Sequence, residues 1–441
     1  MKLLIHFVLL VAWTTFSSAA KPNVLLILAD DMGYECLTAN GGESYQTPNL
    51  DNLAQTGARY THCYVNPICT PTRVALMTGC YNYRNYIQFG SLKANEHTFG
   101  HMMQDAGYQT CIIEKWQLND KGGTTPDKAG FEEYFIKPGN TYNYADPFIQ
   151  DNQWKKVKHE GVYGPDLCLE YAMSFVERNK NQPFFLYYPM SLPHFPFNPT
   201  PDSTTWENGD RHEDDWEKYM PDMIAYMDKQ IGQLVDRLNT LGIRENTLIL
   251  FVGDNGTDGR VTSEFNGSSF KGGKSWLTDA GTHVPMIVNW KGTVSGGQIL
   301  DDLIDPTDFM ATIAEVTGAT PRTPQDGNPI DGISFLPKLI GTVGPEREWV
   351  LLELINEFRT RDGGKRHFFA GHEGRCVRNH QWKLYAEGES RRNIAFDKSG
   401  QFFDMLNDPL EKEPISLEQA GAEARAAFKK LAKVIEERPW K

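Results

Sequence analysis

Short apolar runs alternate along the chain with amphipathic stretches, and most of these runs end abruptly in polar residues. Such runs are typical of strands buried on both faces of a sheet. The pattern predicts five strands, over residues 24–29, 110–113, 184–188, 247–252 and 284–288. Helices are predicted from Pro48, behind the N-cap residue Thr47, over residues 101–105, and over residues 219–241 ahead of Gly242. Because strands and helices alternate, we expect an α/β fold with helices on both faces of a large, mainly parallel sheet.

The pattern changes towards the C-terminus, where short strand-like runs are separated by polar turns. Residues 368–369 and 382–384 are two of these runs. We therefore expect a large α/β domain over residues 21–348 and a smaller C-terminal α+β domain over residues 349–441.

A terminal helix is predicted to begin behind a capping box formed by Ser416 and Gln419. Its apolar face carries three large side chains, those of Phe428, Leu431 and Ile435. A stripe of this kind predicts that the helix packs on the small domain.

The first twenty residues have the features of a secretory signal peptide. Lys2 is followed by an apolar stretch over residues 3–13, and Ser18 and Ala20 are small residues suited to cleavage before Lys21. A membrane anchor is the alternative, but the apolar stretch is too short to span a bilayer. We predict removal of residues 1–20, no membrane span, and a secreted or periplasmic protein.

The composition of the chain limits the classes of binding partner and the disulfides that its cysteines can form. The chain has 441 residues, 40% hydrophobic and 23% charged, which is typical of a globular protein. A net charge of −13 argues against nucleic acid as a partner. Export would permit disulfides, yet seven cysteines cannot all pair within one chain. The spacing of the cysteines along the chain does not show which of them would pair.

Polar residues lie just past the ends of four of the predicted strands. They are Asp30 with Asp31, Lys115, His194, and Asp254 with Asn255. Ligands of open α/β sheets bind outside the carboxyl ends of the strands, so we expect these side chains to share one site. Each alone is more simply explained as a turn residue or a helix cap. Three carboxylates and an amide form an oxygen set suited to Ca²⁺, with Mg²⁺ as the alternative.

The segment from Cys69 to Gly79 predicts a helix that begins near Pro71. Cys69 then lies at or just before the helix N-terminus, where free backbone N–H groups favour an anion. Arg73 follows one helical turn later, so its guanidinium can reach the same place. A nucleophile, a helix N-terminus and an arginine together suit transfer of an oxyanion.

The pentapeptide that begins at Cys69 and ends at Arg73 resembles the C-x-P-x-R signature of the sulfatase family, in the alkaline-phosphatase superfamily. Further stretches resemble family blocks in the same order: residues 21–31, 47–51 with Gly57, 115–116, 193–194, 254–256, 273–274, 331–334 and 382–384. The resemblance covers nearly all of the chain after residue 20. It implies an alkaline-phosphatase-like α/β fold whose residues 21–348 form the catalytic domain.

The resemblance also implies roles for individual residues. Cys69 would be converted to Cα-formylglycine by a maturation enzyme, and the hydrate of that group would be the nucleophile. The implied Ca²⁺ ligands are Asp30, Asp31, Asp254, Asn255 and the modified Cys69. Arg73 would steady the hydrate. Three residues would bind the sulfate and the leaving oxygen: Lys115, His194 and Lys274.

Two blocks depart from the family pattern: residues 114–119 read Glu-Lys-Trp-Gln-Leu-Asn, and residues 279–285 read Asp-Ala-Gly-Thr-His-Val-Pro. Gln117 stands where the family has a histidine that serves as the base of the second step, and glutamine accepts no proton at neutral pH. His283 replaces an arginine and offers a spare imidazole, which we interpret as structural or substrate-facing. These departures leave the predicted metal and sulfate ligands in place.

The predicted function is hydrolysis of a sulfate ester. The substrate is a sulfated small molecule or glycan, and we favour a sulfated carbohydrate. One alternative is a phosphodiesterase or phosphonate monoester hydrolase of the same superfamily. Another is a sulfoglycan-binding homologue with low turnover, which Gln117 motivates. A basic run over residues 359–367 is either a solvated loop or a loop that faces a sulfated polymer.

Overall fold

The computed structural model describes residues 21–139, 143–153, 155–355, 374–388 and 398–439, together with the backbone of residues 358–359 and 365–366. The predicted signal peptide, the strand predicted over residues 368–369, and the side chains of the basic run lie outside these described residues. Within them, no helix is both long enough and apolar enough to cross a membrane.

Strands and helices alternate through most of the described chain. The strands are β1 (Asn23–Ala29), β2 (Ala58–Cys63), β3 (Gln109–Lys115), β4 (Glu133–Lys137), β5 (Phe148–Asp151), β6 (Lys156–Lys158), β7 (Phe184–Met190), β8 (Thr247–Gly253), β9 (Thr262–Phe265), β10 (Ser268–Lys271), β11 (Met286–Asn289), β12 (Gln298–Ile304), β13 (Val350–Leu354), β14 (Phe358–Arg359), β15 (Lys365–Arg366), β16 (Gly374–Arg378), β17 (Trp382–Tyr385) and β18 (Phe402–Asp404). The helices are α1 (Pro48–Gln55), α2 (Cys69–Thr78), α3 (Asn82–Asn85), α4 (Phe99–Asp105), α5 (Gly164–Arg178), α6 (Trp216–Thr240), α7 (Asp279–Thr282), α8 (Asp308–Thr317), α9 (Leu336–Leu339) and α10 (Ala422–Glu436).

Ten of the described strands form one large sheet in the order β12-β2-β11-β8-β1-β7-β3-β4-β5-β6. Its five central strands, β8, β1, β7, β3 and β4, are mutually parallel. β11 runs antiparallel to both of its neighbours, and β5 and β6 add an antiparallel edge. The predicted α/β fold with a mainly parallel sheet is confirmed, and the carboxyl ends of the central strands share one edge.

Helices cover both faces of this sheet, as the sequence predicts. Because side chains alternate along a strand, Leu25 and Ile27 pack with α1, α5 and α6, while Leu26 and Leu28 pack with α2, α4 and α8. All four side chains are fully buried. β1 therefore lies between two apolar layers, which explains why its sequence is continuously apolar.

The strands β13, β16, β17 and β18 form a separate antiparallel sheet, on which α10 packs through Leu431 and Ile435. This sheet begins at Val350, close to the boundary predicted after residue 348. The division into domains at that residue stays a prediction, because an ion pair joins the small sheet to α7 of the preceding part of the chain. Lys383 of β17 lies 3.1 Å from Asp279 of α7 and 2.8 Å from Glu411.

The predicted capping box of the terminal helix is wrong. Gly421 is the N-cap residue, and the helix begins at Ala422. The earlier residues are held in a turn, in which the backbone N–H of Gln419 donates to the carbonyl of Ser416 over 3.1 Å. The backbone N–H of Ile415 donates to the carbonyl of Phe402 over 2.7 Å, which holds the chain before this turn against β18.

Candidate active site

The carboxyl ends of β1 and β8 bring three carboxylates and one amide together. In the register of these parallel strands, Ala29 lies opposite Gly253. The polar residues that follow are Asp30, Asp31, Asp254 and Asn255, and none is more than 1% exposed. The backbone N–H of Asp31 donates to Oδ1 of Asp254 over 3.1 Å, and Nδ2 of Asn255 donates to Oδ1 of Asp31 over 2.8 Å. The sequence-predicted oxygen set therefore forms one buried cluster.

Three basic residues reach this cluster from other elements. β3 ends at Lys115, whose ammonium group pairs with Asp30. The loop after β7 carries His194, and its Nε2 lies 3.7 Å from Oδ2 of Asp31. The loop after β10 carries Lys274, and its Nζ lies 2.6 Å from Oδ1 of Asp31. All three predicted sulfate-binding residues thus surround the acidic cluster.

Helix α2 presents the predicted nucleophile to the same cluster. Cys69 is its first residue, with Ile68 as the N-cap residue. Nε and Nη2 of Arg73 donate to Oδ2 of Asp254 over 3.1 and 2.8 Å. The thiol of Cys69 donates to Oε1 of Gln117 over 3.1 Å. Gln117 therefore contacts the group that would react, at the position where the family has its histidine.

The loops that carry His194 and Lys274 are fixed by contacts that the sequence analysis did not find. The hydroxyl of Tyr144 donates to the carbonyls of Ser191 and His194, each over 2.7 Å. The backbone N–H of Ser191 also donates to Oε1 of Glu114 over 2.9 Å. Glu114 has a φ of +85° and stands at a glycine position of the family, which is the one sequence signal for its role.

The loop of Lys274 is bonded directly to the segment before α2. The backbone N–H of Ser275 donates to the carbonyl of Pro67 over 2.8 Å, and that of Lys274 donates to Thr257 over 2.9 Å. Ser275 adopts a φ of +76°, which is uncommon for a residue other than glycine. The backbone at Lys274 and Ser275 is therefore fixed to the segment that leads into α2.

Burial controls the ionisation of the site. It raises the pKa of Asp31 to about 7 and also raises the pKa of Asp254. Burial raises the pKa of Asp30 as well, but the ion pair with Lys115 holds the net value below its usual range. For the imidazole of His194, burial lowers the pKa well below its usual value. His194 is therefore neutral, and its Nδ1–H donates to the carbonyl of Phe195 over 2.5 Å.

Two oxygens of the acidic cluster are buried without a hydrogen-bond donor, namely Oδ1 of Asp30 and Oδ1 of Asn255. Candidate ligand atoms within 4.8 Å of one another occur in two overlapping sets, Asp30 with Cys69 and Asp254, and Asp30 with Asp31 and His194. Buried polar atoms are normally paired, so these two oxygens need a partner. The donor set and its unpaired oxygens fit a hard divalent cation.

His283 lies away from this cluster, in a stack of aromatic rings. Its ring centroid is 4.0 Å from that of Tyr34 and 4.8 Å from that of Tyr64. Its Nε2–H donates to the carbonyl of Thr61 over 2.8 Å. These contacts favour the structural interpretation of His283. No disulfide joins the seven cysteines, all of which are described and buried.

Comparisons with known proteins show the family of the chain and its fold. The family model described as Sulfatase matches residues 22–319. N-acetylgalactosamine-6-sulfatase of Homo sapiens is 30% identical over 355 residues, which are 72% of this chain and 66% of that protein. The chain therefore spans slightly less than two thirds of the length of this relative.

Solved structures show the same architecture. Ps i-CgsB in complex with k-i-k-neocarrahexaose has a TM-score of 0.76 and 26% identity, over 95% of this chain and 93% of that chain. The phosphonate monoester hydrolase of Agrobacterium radiobacter has a TM-score of 0.67 and 20% identity, over 95% and 96% of the chains, and shows the fold alone. Since the family model covers more than half of its residues, the chain belongs to the sulfatase family.

Proposed function

We propose that the protein is a sulfuric ester hydrolase that cleaves sulfate esters at the cluster around Cys69. The observation that carries this proposal is the position of Cys69 at the first residue of α2, beside three buried carboxylates, an arginine and two lysines. This arrangement offers a nucleophile, a cation site and positive charges for an anionic ester within one pocket. Family membership supports the same chemistry.

The proposed cation ligands are Asp30, Asp31, Asp254, Asn255 and the group at residue 69. Ca²⁺ is the ion we propose, because all the protein atoms offered are carboxylate, amide or hydroxyl oxygens after modification of Cys69. Bound there, the ion would polarise the sulfate group and compensate the carboxylate charges. Lys115 and Lys274 would then be available for the ester oxygens.

Residue 69 is proposed to act after conversion to formylglycine by a maturation enzyme, which is the expected protein partner. One hydroxyl of the formylglycine hydrate would attack sulfur and expel the alcohol, and loss of the proton of the second hydroxyl would then eject sulfate and restore the aldehyde. Burial raises the pKa of the unmodified Cys69 thiol, which makes the thiol itself a poor nucleophile here.

The surrounding residues bind and orient the reactants. Arg73 is fixed by Asp254, and its guanidinium can therefore hold a negatively charged oxygen at residue 69 in place. Lys115 and Lys274 offer ammonium donors to the sulfate oxygens. The carbonyl of Phe195 orients the ring of His194, and its Nε2 lies 3.7 Å from Oδ2 of Asp31, where it could meet the leaving oxygen.

A sulfated carbohydrate is the proposed substrate class. The names of N-acetylgalactosamine-6-sulfatase and of the structure bound to a neocarrahexaose describe sulfate-ester and glycan chemistry in similar proteins. Export through the predicted signal peptide would place the protein where such glycans occur, in the secreted or periplasmic space.

Parallel assays test this proposal against the phosphoryl-transfer alternative. The protein, produced together with a formylglycine-generating enzyme, is given an aryl sulfate, a phosphodiester and a phosphonate monoester. We expect the highest kcat/KM for the sulfate and none for the Cys69→Ala variant. A higher kcat/KM for a phosphorus ester would contradict the proposal. Tight binding of sulfated glycans without any sulfate release would support the low-turnover alternative.

A further inference from the structure

Arg260, in the loop between β8 and β9, is a half-exposed cation next to the buried site. Its guanidinium carbon lies 4.9 Å from the ring centroid of Phe195 and 5.0 Å from that of Phe197. The side chain of Arg260 is 46% exposed. Stacking on two rings fixes the guanidinium plane while leaving part of it open to solvent.

Phe195 connects Arg260 to the proposed sulfate-binding residues. Its ring is stacked on that of His194 with 4.4 Å between the centroids. The ammonium of Lys274 lies 5.6 Å from the centroid of the same ring. A sulfate held by His194 and Lys274 would therefore place the rest of its ester near Phe195 and Arg260.

Two carboxylates neutralise Arg260 and determine what it can bind. Oδ1 of Asp258 accepts from Nε of Arg260 over 3.1 Å, and Oδ2 of Asp214 lies 3.6 Å from Nη1. Arg260, Asp258 and Asp214 together carry a net negative charge, which disfavours binding of a second anionic group beside the sulfate. Fixed donors and acceptors beside an aromatic ring instead match the hydroxyl groups and apolar faces of a sugar.

We propose that Arg260 and Asp214 form a specificity-determining pair that binds sugar hydroxyls next to the cleaved ester. The guanidinium donates to a hydroxyl oxygen, and the Asp214 carboxylate accepts from a hydroxyl, while the sugar face contacts Phe195. The hydroxyls belong either to the sugar that carries the ester or to its neighbour. This inference rests on the proposed sulfate-ester hydrolysis and adds the recognition of its alcohol part.

The test compares Arg260→Ala with Arg211→Ala on three kinds of sulfate ester. Arg211 is a matched control, because its guanidinium lies 4.3 Å from the Trp206 ring centroid and is paired with Glu207, away from Phe195. The probes are para-nitrophenyl sulfate, N-acetylgalactosamine-6-sulfate, and oligosaccharides of carrageenan and chondroitin sulfate. Melting temperatures of both variants check folding.

Arg260→Ala should lower kcat/KM for the best sugar substrate about tenfold or more, mainly through KM, because hydrogen bonds to a charged group are lost. Activity on para-nitrophenyl sulfate should fall much less, because this ester carries no sugar hydroxyls, and Arg211→Ala should behave as the natural protein. A defect already present with the monosaccharide assigns the contact to the sulfated sugar. A defect only with oligosaccharides assigns it to the neighbouring sugar.

Equal losses on the aryl and sugar sulfates, or no loss on either, would overturn the inference. So would a loss that grows with a second anionic group and disappears at high salt, since that indicates an anion site. Hydrolysis of the aryl sulfate without turnover of any sugar sulfate would overturn the inference and leave sulfate-ester hydrolysis standing. Failure on all esters would instead refute the proposed function.

Discussion

The proposed chemistry rests mainly on single residues at the strand ends, and Gln117 is the departure from the family pattern that bears on it most directly. Its Oε1 accepts from the Cys69 thiol over 3.1 Å, and its side chain is 5% exposed. A glutamine can hold a hydroxyl at residue 69 in one orientation but cannot remove its proton at neutral pH. We therefore expect sulfate release, the second step, to limit turnover.

Gln117→His should speed steady turnover and leave the first step unchanged. A positioned imidazole adds a general base, which is worth about a hundredfold or more when its geometry is right. Stopped-flow measurement should show a burst of alcohol release in the natural protein and a faster steady phase in the variant. Brisk turnover without a burst in the natural protein would show that another group performs this step.

Partly buried histidines outside the site predict how stability changes with pH. Burial lowers the pKa of both His283 and His62 to about 4. In the unfolded chain, both side chains have the ordinary histidine pKa of about 6.5. Between these values the unfolded chain binds more protons, so the free energy of unfolding should fall as the pH falls from about 6.5 to 4. His283→Gln should reduce this slope by up to about 1.4 kcal/mol per pH unit in urea titrations. An unchanged slope would contradict the assignment to His283.

The sequence predicted the residues of the site better than their contacts. Asp30, Asp254 and His194 could be identified because each follows a predicted strand, and parallel strands end at one edge. The contacts of Tyr144 with the His194 loop could not be identified from the sequence, because they depend on how distant segments pack. The pairing of Arg260 with Phe195 is likewise absent from any local pattern.

At the scale of elements, the central strands were predicted well because each is a continuous apolar run between two helical layers. β2 and β12 were missed, since their buried and exposed positions are mixed and less apolar. The strand predicted over residues 284–288 begins at Met286, after Pro285, which has no backbone donor for the ladder. The capping box predicted at Ser416 and Gln419 is wrong, because these residues form an isolated turn and the helix begins only after Gly421.

The ion pair of Arg73 with Asp254 joins α2 to the end of β8 and should stabilise the fold as well as the site. Both side chains are at most 1% exposed. In protein freed of metal, Arg73→Ala should lower the free energy of unfolding by about 3–5 kcal/mol, because a buried carboxylate loses its partner. Arg178→Ala, whose partner Glu133 is 2.6 Å away and partly exposed, is the control and should cost about 1 kcal/mol or less. Equal losses in urea titrations would contradict this view.

At the scale of the whole molecule, ion pairs join the smaller sheet to α7, and the large sheet holds a cluster with unpaired oxygens. Asp279 of α7 pairs with Arg378 and Lys383 of the smaller sheet, so we propose that the segment after residue 348 is a subdomain fixed to the catalytic one. Because the chain as a whole is acidic, we propose that the local cations Lys115, Lys274 and Arg73 attract the anionic ester.

A cation in the acidic cluster should stabilise the entire molecule. A ligand that binds the folded protein at about a hundred times its Kd adds about 2.7 kcal/mol to the free energy of unfolding. Added Ca²⁺ should therefore raise the melting temperature, and a chelator should abolish both this rise and activity. Asn255→Ala should weaken the effect, whereas Asn246→Ala, at an exposed site, should not. No bound metal by elemental analysis, with activity in excess chelator, would contradict the metal site.

The central claim is that residue 69 is the modified nucleophile of a sulfate-ester hydrolase. The most direct measurement is mass spectrometry of the tryptic peptide over residues 60–73, taken from a preparation that releases sulfate from an aryl sulfate. Cys63 lies in the same peptide and serves as an internal control. We expect formylglycine at residue 69 and an unmodified Cys63. An active preparation in which residue 69 is only unmodified cysteine would contradict the account.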